Sequence, residues 1–317
     1  KEARVDAVVL SDGGVGQVSQ FLKAKRVRRV IVPDGFPYRI AEGLRKEFRV
    51  SAKPPPFYPE RMRKTHWEII QIHAAQQAAG RALKKAMEFL RSSRIRGRRV
   101  WNGKRAVTSE ELRKIIDDSL YADGYLGIDT IISCGAESAD PHAIGSGPIK
   151  PHSPVVIDIF PVSLRTHYYG DMTRTIFKGE PSAGLQKMYE AVRAAQEQAI
   201  AQVRAGADGK DIYDSVCRHF NAEGYPTRIS TKGGEGFIHG LGHGVGIDIH
   251  EPPSLGATSS ILKAANVVTV EPGLYYPRPR RNIPAGGIRI EDAVVVKNGD
   301  CENLTKFPKD LGYVIVA

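Results

Sequence analysis

Cysteine is scarce in this chain, with 3 among 317 residues, at 134, 217 and 301, and no C-x-x-C pair. A disulfide scaffold is thereby excluded, and buried thiols in a reducing, cytoplasmic setting are expected. No apolar run approaches the ~18 residues that a membrane helix needs, and the opening KEARVDAVVLSDGG lacks the apolar stretch of a secretory signal. A soluble protein with no membrane partner is the expectation. The 32 Gly and 20 Pro follow no period, which excludes collagen-like classes, and an apolar content of 41% excludes disorder.

What the chain has in excess is positive charge, unevenly spread. Residues 1–105 hold 25 Lys and Arg against 9 Asp and Glu, while residues 106–317 hold 21 against 26. The densest stretch, Arg91–Arg105, contains one aromatic residue, Trp101, and no nucleic-acid motif, so it reads as a solvated loop and no nucleic-acid partner is expected.

The length suits about two domains. Apolar runs at 5–10 and 27–33 alternate with amphipathic stretches in the first part, a small α/β piece. Lys53–Pro59, KPPPFYP, breaks any helix or central strand, and the boundary is placed there, giving 1–57 and 58–317. From Glu60 a helical pattern runs through Ile72, Ala75, Ala79, Leu83 and Met87 to Leu90. A second helix follows, with Thr108 or Ser109 as its N-cap and Glu110 and Glu111 in its first turn. Helices also fit 184–205 and 208–223. The remainder is rich in β-branched runs punctuated by Gly and Pro, and helices early with strands late give an α+β catalytic domain.

Carboxylates appear where strands should be dry. VVIDIF (155–160) contains Asp158, VVTVE (267–271) ends on Glu271, and GIRIEDAVVV (287–296) places Arg289 and Glu291 on one face. Asp171, Thr173 and Thr175 share a face of DMTRTIF. Each buried carboxylate needs a counter-charge, and Arg174 and Arg289 are too few, so divalent cations are the economical answer. The segment GEGFIHGLGHGVGIDIHEPP adds His239, His243 and His250. Its glycines rule out a stable helix and let a metal or substrate approach the backbone. One His with two Asp and two Glu suits two divalent ions, Mn²⁺ first, with Co²⁺ or Zn²⁺ as alternatives, flanking a hydroxide nucleophile.

Asp158, DMTRT, HGLGHGVGIDIHEPP, VEPGLYYP and IRIEDAVVV resemble, in order and approximate spacing, the metal-binding motifs of the M24 or pita-bread metallopeptidases, in the Xaa-Pro aminopeptidase and prolidase branch. That resemblance covers roughly residues 60–317. It implies a pita-bread domain in which Asp158 binds one metal, Asp171 and Glu291 bridge two, and His243 with Glu271 completes the second. It also implies that Glu271 exchanges a proton with the bridging water and that His142 is an active-site histidine. His239 and His250 would contact the substrate amide and the collapsing intermediate, and Arg289 would support the network. The interval from Asp158 to Asp171 exceeds the usual one by two residues, which implies a longer hairpin through 161–170.

The expected reaction is hydrolysis of an N-terminal Xaa-Pro bond, as in an Xaa-Pro aminopeptidase, on peptide substrates with proline in second position. A prolidase restricted to dipeptides, a methionine aminopeptidase and a non-catalytic binding protein are the alternatives, and a homodimer is left open. Arg165, Arg278, Arg280 and Arg281 could clamp a dipeptide's carboxylate but read as solvated loop residues, so tripeptides and longer peptides are expected to be cleaved at least as well as dipeptides.

Overall fold

The computed structural model describes residues 14–231 and 233–317; the apolar run at 5–10 lies outside the described residues. The chain divides into two compact units, Lys1–Pro59 and Glu60–Ala317. In the first, helix Val15–Ala24 precedes a β-α-β unit: strands Arg29–Pro33 and Arg49–Lys53 pair in parallel around helix Tyr38–Arg45. Its small core gathers Val32, Ala41, Leu44 and Phe48.

The second unit opens with a helix that starts later than its apolar pattern suggests, at His66 instead of Glu60. Thr65 accepts from the Glu68 amide while the Glu68 carboxylate accepts from the Thr65 amide, a capping box worth about 1 kcal/mol. Residues Pro59–Met62 form a separate 3-10 turn. Helix His66–Ser92 buries Ile72, Ala75, Ala79, Leu83, Met87 and Leu90 against the rest of the core. The basic run is not a loop: Arg94–Arg96, Arg99–Asn102 and Arg105–Ala106 form a three-stranded antiparallel sheet. Gly97 and Gly103, both at positive φ, make its turns, and Val100 anchors it in the core. Thr108 caps helix Ser109–Ala122.

Two sheets form the frame of the unit. One has the order Ile315–Val316, Met172–Lys178, Pro154–Ile159, Ile131–Cys134. The other, fully antiparallel, has the order Glu251–Leu255, Gly242–Gly244, Val267–Val270, Asp292–Val296, Cys301–Asn303. Helices Ala183–Ile200 and Gly209–Ala222 bury Met188, Tyr189, Val192, Val216 and Phe220 in the same core. The stretch 287–296 is not one strand. Gly286–Arg289 pairs with Gly273–Tyr276, whereas Asp292–Val296 joins the five-stranded sheet. Ile290 and Glu291 make the crossing, and the Glu291 amide donates to the Thr173 carbonyl at 3.0 Å. The two sheets meet there.

Candidate metal centre

The expected carboxylates converge at that junction. Asp158 lies on strand Pro154–Ile159, opposite Thr173 in register. Asp171 immediately precedes strand Met172–Lys178, Glu271 immediately follows strand Val267–Val270, and Glu291 occupies the crossing between strands. His243 is the middle residue of Gly242–Gly244. Gly242 is glycine of necessity, because a Cβ there would fall 2.0 Å from the Thr269 carbonyl oxygen. All four carboxylates, His142, His239, His243, His250 and Arg289 line one cavity of about 380 Å³, whose apolar wall includes Ile131, Phe160 and Ile249.

Charge in this cavity is unbalanced. Arg289, 3% exposed, donates to Asp158 at 2.7 Å, to the Thr173 hydroxyl at 3.1 Å and to the Tyr275 hydroxyl at 2.9 Å. Thr173 passes its own proton to Glu291 at 2.8 Å. Arg174, the other expected counter-charge, faces away and binds Asp292. Asp171 and Glu291 are left with His243 and Thr173. Burial, reinforced by the charge of Asp158 on Asp171 and of Asp171 on Glu291, pushes both carboxyls well above their ordinary range. Against its burial, Glu271 is held down at about 2 by the hydrogen bond and charge of His243.

His243 Nε2 lies 3.3 Å from Glu271 and 3.5 Å from Asp171. Its Nδ1 faces the Gly244 carbonyl at 3.1 Å, which can only accept, so Nδ1 keeps its proton whether the ring is neutral or charged, and Nε2 is the nitrogen turned to the carboxylates. Despite burial, those carboxylates raise His243 to about 9. Two further observations fit a cation: Asp158 Oδ1 is buried without a hydrogen-bond partner among the described residues, and ligand atoms of Asp171, His243 and Glu291 all lie within 4.8 Å of one another. Such an oxygen-rich set with one imidazole suits Mn²⁺, Co²⁺ or Zn²⁺.

The remaining histidines differ among themselves. His239 Nδ1 donates to the Gly240 carbonyl at 2.7 Å, so Nε2 of the neutral ring accepts from Tyr275 at 2.9 Å, and Tyr275 accepts in turn from Arg289. Burial lowers His239 and keeps it neutral, and burial pushes Tyr275 up to about 12, where it donates. His250 is exposed and meets His243 edge to face at 4.2 Å. His142 is exposed at the cavity wall. Tyr275 and Thr269, whose hydroxyl accepts from the His243 amide at 3.0 Å, adjoin the site without having been singled out from the sequence, and Thr173, expected on the Asp171 face, proves to bind Glu291 and Arg289. The one usable signal was the tyrosine in EPGLYYP, since a buried phenol requires a partner.

Residues 70–298 match metallopeptidase family M24. The chain is 36% identical over 254 residues to an Xaa-Pro dipeptidase of Pyrococcus furiosus, covering 79% of this chain and 65% of that protein. It is 32% identical over 302 residues to the Xaa-Pro dipeptidase of Pyrococcus horikoshii, covering 93% and 78%. Among solved structures, an Xaa-Pro dipeptidase from Bacillus anthracis aligns with a TM-score of 0.81 at 28% identity, over 94% of this chain and 78% of that one. The X-Pro aminopeptidase of Thermotoga maritima aligns with a TM-score of 0.75 at 27% identity, over 95% and 80%. The α+β pita-bread fold expected from the motifs is borne out.

Proposed function

This chain belongs to metallopeptidase family M24, and on that premise we propose that it hydrolyses the peptide bond between an N-terminal residue and proline. The observation that carries the proposal is the cavity in which Asp158, Asp171, Glu271 and Glu291 face one another with Arg289 as the only Arg or Lys among its described lining residues. Asp158, Asp171, His243, Glu271 and Glu291 would hold two divalent ions, which supply Lewis acidity and a water that is nucleophilic at neutral pH. Mn²⁺ is the first choice of metal.

Each protein group then has a task set by its surroundings. Glu271, ionised at the cavity wall, accepts the proton of the attacking water and returns it to the leaving nitrogen. His250, exposed beside His243, donates to the substrate carbonyl oxygen as negative charge develops there. His142 lines the same cavity. In its present hydrogen bonds His239 offers no free N–H, so it contacts the substrate amide by releasing Tyr275 or through its ring face. Arg289 holds Asp158 and Thr173 in place and fixes Tyr275.

Both Pyrococcus relatives are named dipeptidases, which favours a preference for Xaa-Pro dipeptides. A second reading, cleavage of longer peptides, is favoured by the cavity itself: Arg289 is its only lining arginine, and its donors are committed to Asp158, Thr173, Tyr275 and the Pro141 carbonyl. Of the arginines considered as carboxylate clamps, Arg280 is held by Glu235 at 2.7 Å, and Arg165, Arg278 and Arg281 are exposed and line no part of the cavity. The deciding experiment strips the protein of metal, restores Mn²⁺, Co²⁺ or Zn²⁺, and compares kcat/KM on an Xaa-Pro dipeptide, its C-terminal amide and Xaa-Pro-Yaa. A preference of roughly a hundredfold for the free dipeptide, about 2.7 kcal/mol, establishes the dipeptidase; parity or the reverse establishes the aminopeptidase. No cleavage of any of the three under all three metals overturns the proposal.

A further inference from the structure

His250 is poorly held by its own ring. Among the described residues its imidazole makes no hydrogen bond, and its one ring–ring contact is with His243. The next residue, by contrast, is bound tightly. Glu251 accepts from Lys64 Nζ at 2.6 Å through one carboxylate oxygen and from Arg61 at 2.8 Å through the other, and Arg61 also reaches Asp248 at 2.6 Å. The side chains of Lys64 and Glu251 are 1% and 8% exposed, so this is a desolvated ion pair.

Both cations stand on a backbone that is itself pinned. The Lys64 amide donates to the Ala265 carbonyl at 2.7 Å, and Asn266 donates to the Met62 carbonyl at 2.7 Å. The far end of the segment is closed as well. Tyr169 N donates to the Gly246 carbonyl at 2.8 Å, and a Cβ on Gly246 would come within 2.8 Å of the Glu251 carboxylate. Residues 246–251 thus form a short loop fastened at both ends, with His250 beside the fastening. A buried ion pair seldom stabilises a fold more than apolar packing of the same volume would, so its benefit here is better sought in geometry.

We propose that Lys64, Arg61 and Glu251 are positioning residues that hold His250 over the metal centre. This rests on the assignment of His250 to the substrate made above. Glu251→Gln is expected to lower kcat on an Xaa-Pro peptide roughly 10- to 100-fold with KM and metal content nearly unchanged. In a His250→Ala background the same substitution should cost nothing further, because it acts through the imidazole. Lys64→Arg should retain most of the activity that Lys64→Met loses. Amide hydrogen exchange on the metal-free protein supplies a reading independent of turnover: residues 247–250 should exchange faster in Glu251→Gln while 267–270 do not. Arg61→Ala, at a half-exposed position, serves should Glu251→Gln fail to fold.

Equal losses from Glu251→Gln with and without His250, or unchanged exchange at 247–250, would overturn the positioning role. Wild-type turnover in His250→Ala would instead overturn the assignment of His250, and the exchange measurement would still decide whether the cluster fastens the loop.

Discussion

Glu291 and Asp292 are neighbours in sequence, both buried, and they live in opposite electrostatic worlds. Asp292 accepts from Arg174 at 2.7 Å, Lys309 at 2.8 Å and Asn303 at 2.8 Å, and against its burial the two cations hold its carboxyl below the ordinary range. Among the described residues the Glu291 carboxylate accepts only from Thr173; it faces Asp171 and is pushed well above that range. One face of the crossing is a finished ion-pair network, with Arg174 also donating to the Glu291 and Phe307 carbonyls. The other is short of positive charge. A closed buried network reads as structure, and an open one in a cavity reads as a place for cations.

The largest effect should follow from acting on the open side. Asp171→Asn should abolish binding of at least one ion and lower kcat/KM by roughly 10³ or more, equivalent to the several kcal/mol a Lewis acid supplies. Metal analysis after dialysis and a kinetic assay measure this. The metal-free protein should be no less stable in urea than wild type, because Asp171 has no cation beyond the His243 it shares with Glu271 to offset the cost of burying its carboxylate. Full activity after exhaustive chelation would show that the carboxylates serve something other than metal.

Acting on the closed side should give the opposite pattern. Asp292→Asn leaves Arg174 and Lys309 buried without their anion and should cost about 3 kcal/mol of stability with or without metal. Metal stoichiometry should stay at the wild-type value while the protein is folded. Loss of metal without loss of stability in urea would mean that the two faces are one functional network.

Which parts of this contrast were legible beforehand depends on how local the signal was. A carboxylate alone in an apolar strand stands out, and so Asp158, Asp171, Glu271 and Glu291 could be named from sequence. That Arg174 turns away from the site could have been inferred too, since it alternates with Asp171, Thr173 and Thr175 and so must face the other way. The break at Ile290 and Glu291 was hidden, because after Gly287 the stretch GIRIEDAVVV has neither Gly nor Pro to mark a stop. Tyr275 and Thr269 were hidden for a different reason: they are ordinary strand residues, and only tertiary contacts bring them to the site. In 91–105 the density of arginine obscured Val100, Trp101 and the two turn glycines that make a sheet.

That small sheet supplies the weakest test, of how far the cost of an unpaired charge depends on water. Arg96 and Arg99 are directly paired across the hairpin, both exposed, with no carboxylate among their described ion pairs. Like charges in that position repel, yet solvent screens them, so the penalty should be a few tenths of a kcal/mol where Asp171 and Glu291 need a metal. Arg99→Glu converts the repulsion into a cross-strand ion pair and should raise the unfolding midpoint by about 1 °C at low salt. The gain should disappear near 1 M salt, where the screening length falls to about 3 Å. A gain that persists at that salt would mean that Arg99 is strained by packing and not by charge, and the difference between the exposed and the buried repulsions would then not be one of solvent.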